Sequence, residues 1–134
     1  MTSTVEGKAI AITGAFGALG AATALVAAER GARVALIDRA AHAPAGLFDA
    51  HSDTLRWVTG VNLTDETQAA AAVRAAHDQL QGLDVLINVA GAFRWQTVAD
   101  GDSATWDQQY AVNLKSALYA SRAAIPFLRK SCCR

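Results

Sequence analysis

This 134-residue chain has few cysteines and no excess of charge of either sign, and both features exclude common kinds of partner. Twelve Lys and Arg residues balance twelve Asp and Glu residues, and no stretch concentrates the basic ones. This balance argues against nucleic acid and anionic membrane surfaces as partners, because both attract an excess of positive charge. The two cysteines, Cys132 and Cys133, are adjacent, and the three histidines are scattered, so neither type has metal-ligand spacing. We expect no metal site, no disulfide framework and a cytoplasmic location.

One uncharged stretch, residues 9–28, is long enough to be considered for a membrane span. It consists mostly of Ala, Gly and Thr, has three glycines in its middle and is only mildly apolar. It also divides into a short strand-like half and a longer helix-like half. The sequence therefore predicts no membrane partner.

Strand-like and helix-like segments alternate along the chain, and its length suits one domain over residues 1–134. The apolar run KAIAIT is followed by a glycine-rich turn, by a helix predicted over residues 18–30, and by a second apolar run, RVALID. Both apolar runs are typical of strands buried on two faces. Together these segments predict a βαβ unit.

Two further strands are predicted in LRWVTGVN and LDVLINVAG. Between them we expect a helix capped by Thr64, and after them a long helix that is capped by Asp102 or Ser103 and reaches about Arg129. This alternation predicts an α/β fold with a parallel sheet and helices on both faces. Right-handed crossovers place the strands in the order 3-2-1-4, the doubly wound arrangement, with a ligand site at the carboxyl ends of the first and fourth strands.

The turn after the first strand, TGAFGALG, has glycines at positions 14, 17 and 20. Glycines before a helix N-terminus suit a diphosphate, although a tight turn with no ligand would use the same residues. Asp38 favours binding, because it ends the second strand eighteen residues after Gly20, near the spacing of the acid that accepts hydrogen bonds from a ribose. Its carboxylate would repel a 2′-phosphate, whereas the adjacent Arg39 would attract one. Arg39 weakens the preference that Asp38 gives without reversing it, so NAD is predicted ahead of NADP.

With these features in place, the sequence resembles the short-chain dehydrogenase/reductase (SDR) family at four points. TGAFGALG resembles that family's T-G-x-x-x-G-x-G, with Gly17 one residue early and Ala18 in the family's glycine position, as in its extended branch. NVAG resembles the family's N-N-A-G after the fourth strand. VNLTD resembles the stretch whose acid contacts adenine, with Asn62 in the acid's place, where its amide oxygen could still accept from the adenine amino group. Asn113 resembles the helix Asn of the family's Asn-Ser-Tyr-Lys tetrad.

The resemblance covers essentially the whole chain and implies the amino-terminal half of a Rossmann-type SDR domain. It implies a nicotinamide dinucleotide as cofactor and a small-molecule alcohol or ketone as substrate in the family's hydride transfer. Asn113 is the implied catalytic residue. With the turn and Asp38 included, the expected cofactor-binding residues are Thr13, Gly14, Phe16, Gly17, Ala18, Leu19, Gly20, Asp38, Arg39, Asn62, Leu63, Asn88, Ala90 and Gly91.

The family's Tyr-x-x-x-Lys pair has no counterpart in these 134 residues. Tyr110 and Lys115 come closest, but a spacing of five puts them about 140° apart around an α-helix, so we expect that they cannot share one ribose. Two hypotheses remain: an SDR oxidoreductase truncated before the later strands and catalytic residues, and a non-catalytic NAD-binding module. In both, the unpaired edge of the fourth strand predicts self-association.

Overall fold

The computed structural model describes residues 4–131, and their four strands form one parallel sheet. The strands are β1 (Ala9–Thr13), β2 (Arg33–Ile37), β3 (Leu55–Val58) and β4 (Val85–Asn88). Their order is β3-β2-β1-β4, and every neighbouring pair is parallel. The predicted order 3-2-1-4 is confirmed, and the order reverses between β1 and β4.

Helices within residues 4–131 cover both faces of the sheet. They are α1 (Ala18–Glu29), α2 (Glu66–Leu80), α3 (Ser103–Tyr110) and α4 (Ser116–Ser131). The turn Ala111–Lys115, which joins α3 to α4, is π-helical. The long helix predicted from Asp102 to Arg129 is therefore present, but it contains a wider turn that helical periodicity alone does not predict.

The sheet has an apolar core on each face, because successive residues of a strand face opposite sides. Even-numbered residues of β1, such as Ile12, pack in the cluster that contains the buried alanines of α1. Odd-numbered residues, such as Ala11, pack in the cluster that contains α2 and α4. All five residues of β1 are buried, as expected for a strand between two neighbours.

Asp65, rather than the predicted Thr64, caps α2. The Asp65 carboxylate accepts a hydrogen bond from the Gln68 N–H at 2.9 Å. Thr64 instead donates its hydroxyl to the Asn62 carboxamide oxygen at 2.7 Å, so it is committed to the preceding turn. The prediction was wrong by one residue because two neighbouring residues were both good caps and the loop decided between them.

Asp102, rather than the alternative Ser103, caps α3 and accepts hydrogen bonds from the Thr105 hydroxyl at 2.7 Å and from the Thr105 N–H at 2.9 Å. These two bonds hold the pKa of Asp102 below its ordinary value, because both favour the charged carboxylate, and the bond from the Thr105 hydroxyl has the larger effect. The cap fixes where the helix beside β4 begins.

The outer edge of β4 pairs with no strand among residues 4–131. The β4 residues are half-buried or exposed, in contrast to those of β1. On the α1 side of this edge lies a groove of about 400 Å³ whose wall includes Val5, Ile10, Val26 and Ile87. An apolar surface therefore adjoins unpaired backbone hydrogen-bonding groups.

The helices described here are all too short or too polar to cross a lipid bilayer. The stretch 9–28 instead divides between β1, the glycine turn and most of α1, as its composition predicted. The prediction that the adjacent Cys132 and Cys133 form neither a disulfide framework nor a metal site falls on residues outside the described range.

Candidate functional site

A cleft of about 760 Å³ opens at the carboxyl ends of β1 and β4, where the strand order reverses. This is the position at which open α/β sheets bind ligands. Its wall is made by the glycine turn, the end of β2, the loop before α2, and the segment from β4 to the start of α4. The predicted site residues in the wall are Gly14, Gly17, Ala18, Leu19, Gly20, Asp38, Arg39, Asn62, Leu63, Ala90 and Gly91.

Four predicted residues are not part of the wall: Thr13, Phe16, Asn88 and Asn113. The Thr13 hydroxyl oxygen, in a residue that is 1% exposed, accepts hydrogen bonds from the N–H groups of Val89 and Ala90, both at 3.1 Å. The Asn88 amide donates to the Ser121 hydroxyl oxygen at 3.0 Å. These bonds tie the NVAG segment to β1 and to α4, so both residues shape the cleft from outside it.

Two of the three motif glycines are required by the protein's own packing. Gly14 has φ +62°, and a Cβ there would lie 2.7 Å from the Ala90 Cα. A Cβ on Gly20 would overlap the Gly14 carbonyl oxygen and lie 2.8 Å from the carbonyl carbon. The glycine turn, α1 and the NVAG segment therefore meet backbone to backbone.

Gly17 differs from the other two, since the fold leaves room for a side chain there. A Cβ on Gly17 would have only the Gly14 carbonyl oxygen nearby, at an ordinary contact distance of 3.5 Å, and its φ of −74° suits any residue. Gly17 is the exposed N-cap of α1, lines the cleft, and provides no side-chain cap for the helix. The backbone N–H groups at this end of α1 thus adjoin open space.

Asp38 stands at the end of β2 with its carboxylate already oriented by two backbone groups. Its Oδ2 accepts from the Phe16 N–H and its Oδ1 from the Ala40 N–H, each at 2.9 Å. A carboxylate has about four lone-pair positions, so both oxygens retain the capacity to accept from a diol. The exposed Arg39 lies next to it in the wall.

Asn62 and Leu63, in the loop before α2, line the same cleft as the start of α1. The Asn62 carboxamide oxygen accepts from the Thr64 N–H at 3.1 Å as well as from the Thr64 hydroxyl. The oxygen that we expected to accept from an adenine amino group is therefore used within the loop. The Asn62 Nδ2 group is the part of this side chain left to meet a base.

Asn113 clamps the exit of β4 onto the π-helical turn. Its Oδ1 accepts from the Ala92 N–H at 3.1 Å, and its Nδ2 donates to the Ala92 carbonyl oxygen at 2.8 Å and to the Gln109 carbonyl oxygen at 3.0 Å. A Cβ on Gly91 would lie 2.7 Å from the Asn113 Oδ1, so the clamp needs glycine at that position.

Tyr110 and Lys115 lie closer together than their spacing predicted. The Lys115 ammonium is 5.9 Å from the centre of the Tyr110 ring. The expected separation of about 140° assumed an α-helix, whereas a π-helical turn pairs each residue with the one five positions on, so that the two stack on one side. Neither residue belongs to the wall of the cleft.

Comparison with known proteins identifies the family of this chain. A family model described as short chain dehydrogenase matches residues 8–132. The chain belongs to the short-chain dehydrogenase family. One relative within this family, 2-(S)-hydroxypropyl-CoM dehydrogenase 3 of Xanthobacter autotrophicus, is 33% identical over 128 residues, which are 93% of this chain and 50% of the relative.

Solved structures of short-chain dehydrogenases have the same Rossmann-type fold. NADH-dependent reductase A1-R′ complexed with NAD superposes with a TM-score of 0.85 at 31% identity, covering 98% of this chain and 56% of the other. The 3-ketoacyl-(acyl-carrier-protein) reductase of Brucella melitensis complexed with NADH gives a TM-score of 0.86 at 26% identity, covering 96% and 53%. The chain thus spans about half the length of these two proteins.

Sequence reasoning missed the helical part of the wall. Gln108, Ala111, Val112 and Ser116 line the cleft, and their spacing of three, four and eight residues from Gln108 is that of one helical face. This periodicity groups the four residues on one helical face, but the position of the sheet must be known to tell that this face lines the cleft. No cluster of three or more His, Cys, Asp or Glu residues that could hold a metal ion occurs within residues 4–131.

Proposed function

We propose that this chain binds a nicotinamide dinucleotide in the cleft, NAD ahead of NADP, as the cofactor-binding half of a short-chain dehydrogenase. The family reaction is hydride transfer between nicotinamide and a small-molecule alcohol or ketone. One observation carries the proposal: the uncapped start of α1, the unobstructed Gly17 and the oriented Asp38 carboxylate meet in one cleft. The NAD and NADH complexes of two structural relatives support it.

The residues of the wall fit the parts of a dinucleotide. The first N–H groups of α1 lack carbonyl partners within the helix and carry the positive end of its dipole, which suits a diphosphate. Asp38 accepts from the adenosine ribose, and the Asn62 amide lies where the adenine would follow. Ala90 and Gly91 continue the wall toward the nicotinamide end. When bound, the cofactor supplies or accepts the hydride.

A non-catalytic NAD-binding module is the second candidate. It is favoured by the lack of Tyr-x-x-x-Lys in the 134 residues and by the engagement of the Asn113 amide in the clamp on Ala92. For both candidates we propose a cytoplasmic location, because the cysteine pattern suits a reducing compartment. Neither includes nucleic acid, a membrane or a metal ion as a partner.

Replacing Asp38 by alanine is expected to weaken NADH binding about ten-fold or more, because hydrogen bonds to a charged acceptor are lost. NADPH binding should weaken less or improve, since the charge that repels a 2′-phosphate is removed. Calorimetric titration of wild type and variant with both cofactors measures this. Asp53→Ala, which removes an exposed carboxylate outside the cleft, is the matched control. Equal or tighter binding of NADPH by the wild type would contradict the preference for NAD.

The unpaired β4 edge and its apolar groove predict that the purified chain self-associates. Sedimentation velocity is expected to show dimers or larger species. Ile87→Lys places a charge in the groove and should shift the distribution toward monomer, whereas Ala41→Lys, in an exposed loop, should not. A monodisperse wild-type monomer with a sharp unfolding transition is the result that contradicts this prediction.

A further inference from the structure

An aromatic cluster, formed by Phe16, Phe48 and Trp57, adjoins the Asp38 end of the cleft on the α1 side of the sheet. The Phe16 ring centre lies 6.0 Å from the ring centres of both Phe48 and Trp57, and Phe48 meets Trp57 edge to face at 5.5 Å. These are distances at which aromatic pairs attract one another beyond simple burial. The cluster therefore joins the glycine turn to the edge strand β3.

Phe48 is the anchor of the segment that connects β2 to β3. Over residues 39–54, all of which the structure describes, Phe48 is the one buried residue, at 3% exposure. It immediately precedes the 3₁₀ turn Asp49–His51. The position of this otherwise exposed segment thus depends on how Phe48 packs against Phe16 and Trp57.

One of the two backbone groups that hold the Asp38 carboxylate belongs to a residue of this cluster, and the other lies in the segment that Phe48 anchors. One is the N–H of Phe16, whose ring belongs to the cluster, and the other is the N–H of Ala40, which opens the segment anchored by Phe48. Phe16 itself contributes no atom to the wall of the cleft. Its part in the site is to place a backbone donor against Asp38 while its ring faces the cluster.

We propose that the Phe16–Phe48–Trp57 cluster is a positioning device that sets the orientation of Asp38, and with it the preference of the site for NAD over NADP. The proposal rests on the proposed function, since it presumes that the cleft binds a nicotinamide dinucleotide. Loosening the cluster frees the carboxylate to rotate away from the ribose. The ribose hydrogen bonds then weaken, and so does the repulsion of a 2′-phosphate.

The test compares Phe48→Ala with Leu83→Ala, which empties an equally buried position on the opposite face of the sheet. Calorimetric titration with NADH and NADPH gives the ratio of the two dissociation constants for each protein. Phe48→Ala is expected to weaken NADH binding about five-fold and to lower the preference for NADH by a similar factor, whereas Leu83→Ala keeps the wild-type ratio. Phe48→Leu, which refills the site, should restore most of the preference.

Amide hydrogen exchange provides a readout that needs no cofactor. In Phe48→Ala the amides of Phe16 and Ala40 should exchange about ten-fold faster than in the wild type, relative to amides of α2. If Phe48→Ala does not fold, Trp57→Leu replaces it. Trp57 is 41% exposed, so its removal leaves no closed cavity, and the same two changes are expected.

The outcomes separate this inference from the proposed function. A wild type that binds neither cofactor contradicts the proposed function. A wild type that prefers NADH, with an unchanged ratio and unchanged Phe16 and Ala40 exchange in Phe48→Ala or Trp57→Leu, overturns the inference alone. A change of ratio in Leu83→Ala equal to that in Phe48→Ala also overturns it, because general destabilisation would then account for the effect.

Discussion

Gly20→Ala is expected to unfold this protein or to destabilise it by at least about 3 kcal/mol, whereas Gly17→Ala should leave its stability within about 0.5 kcal/mol of wild type. The added Cβ at position 20 would overlap the Gly14 carbonyl oxygen, and the obstacle is backbone that cannot rotate away. At position 17 the same group would make one ordinary contact at 3.5 Å. Urea unfolding followed by circular dichroism measures both effects.

The same pair of variants separates packing from binding. Gly17→Ala places a methyl group in the cleft at the start of α1, so it should fold normally yet bind NADH more weakly than wild type. A Gly20→Ala protein as stable as wild type would contradict the close backbone contact described here. Wild-type NADH affinity in Gly17→Ala would argue against a diphosphate at the start of α1.

The second large effect concerns catalysis: the purified chain of 134 residues is expected to show no alcohol- or ketone-dependent change in NADH absorbance. Hydride transfer needs a proton supplied to or removed from the substrate oxygen, and a positioned general acid or base contributes about 10²–10⁴-fold. Tyr-x-x-x-Lys is absent from these residues, and the Asn113 amide is engaged with Ala92 and Gln109. A misplaced nicotinamide would add to the loss.

Turnover that survives repurification and disappears in Asp38→Ala would contradict this expectation. Tyr110→Phe is then the informative variant, because Tyr110 lies beside the Lys115 ammonium and is the nearest approach to a Tyr–Lys pair in the chain. Loss of that turnover in Tyr110→Phe would identify Tyr110 as the proton donor. The exposed Tyr110 lies outside the wall of the cleft, which is why we expect none.

Much of the fold followed from the periodicity of the sequence. Strands buried on two faces require continuous apolar runs, and the glycine turn followed by an alanine-rich helix identified the first βαβ unit. The handedness of crossovers then left one order for the first strands. Asp38 could be located from its spacing alone, because a parallel strand brings its last residue to the same edge of the sheet as the glycine turn.

The roles of the site residues depended instead on contacts between segments that are distant along the chain. The sequence determined that glycines stand at positions 14, 17 and 20. Only the folded turn, in which Gly14 meets Ala90 and Gly20 meets Gly14, distinguishes these two packing glycines from Gly17, where a side chain would have room. The choice of Asp65 over Thr64 as the cap of α2 was decided locally instead, by the hydrogen bond from the Thr64 hydroxyl to Asn62 in the preceding turn. The spacing of residues along a chain indicates the periodicity of a single helix or strand. It does not indicate which other segments pack against that helix or strand.

The π-helical turn Ala111–Lys115 is a further feature that only the structure shows. Their spacing of five put Tyr110 and Lys115 on different sides of a regular α-helix, whereas in the structure the Lys115 ammonium lies near the Tyr110 ring. The hydrogen bonds between Asn113 and Ala92 could not be predicted from the sequence either. The sequence by itself predicted the sheet and the position of the cleft, because these depend on local periodicity and on the chirality of crossovers, and its four motifs carried the resemblance to the family. Tertiary structure alone decided which atoms face the cleft and which hold it in shape, because that depends on packing between β1, β4 and the helices.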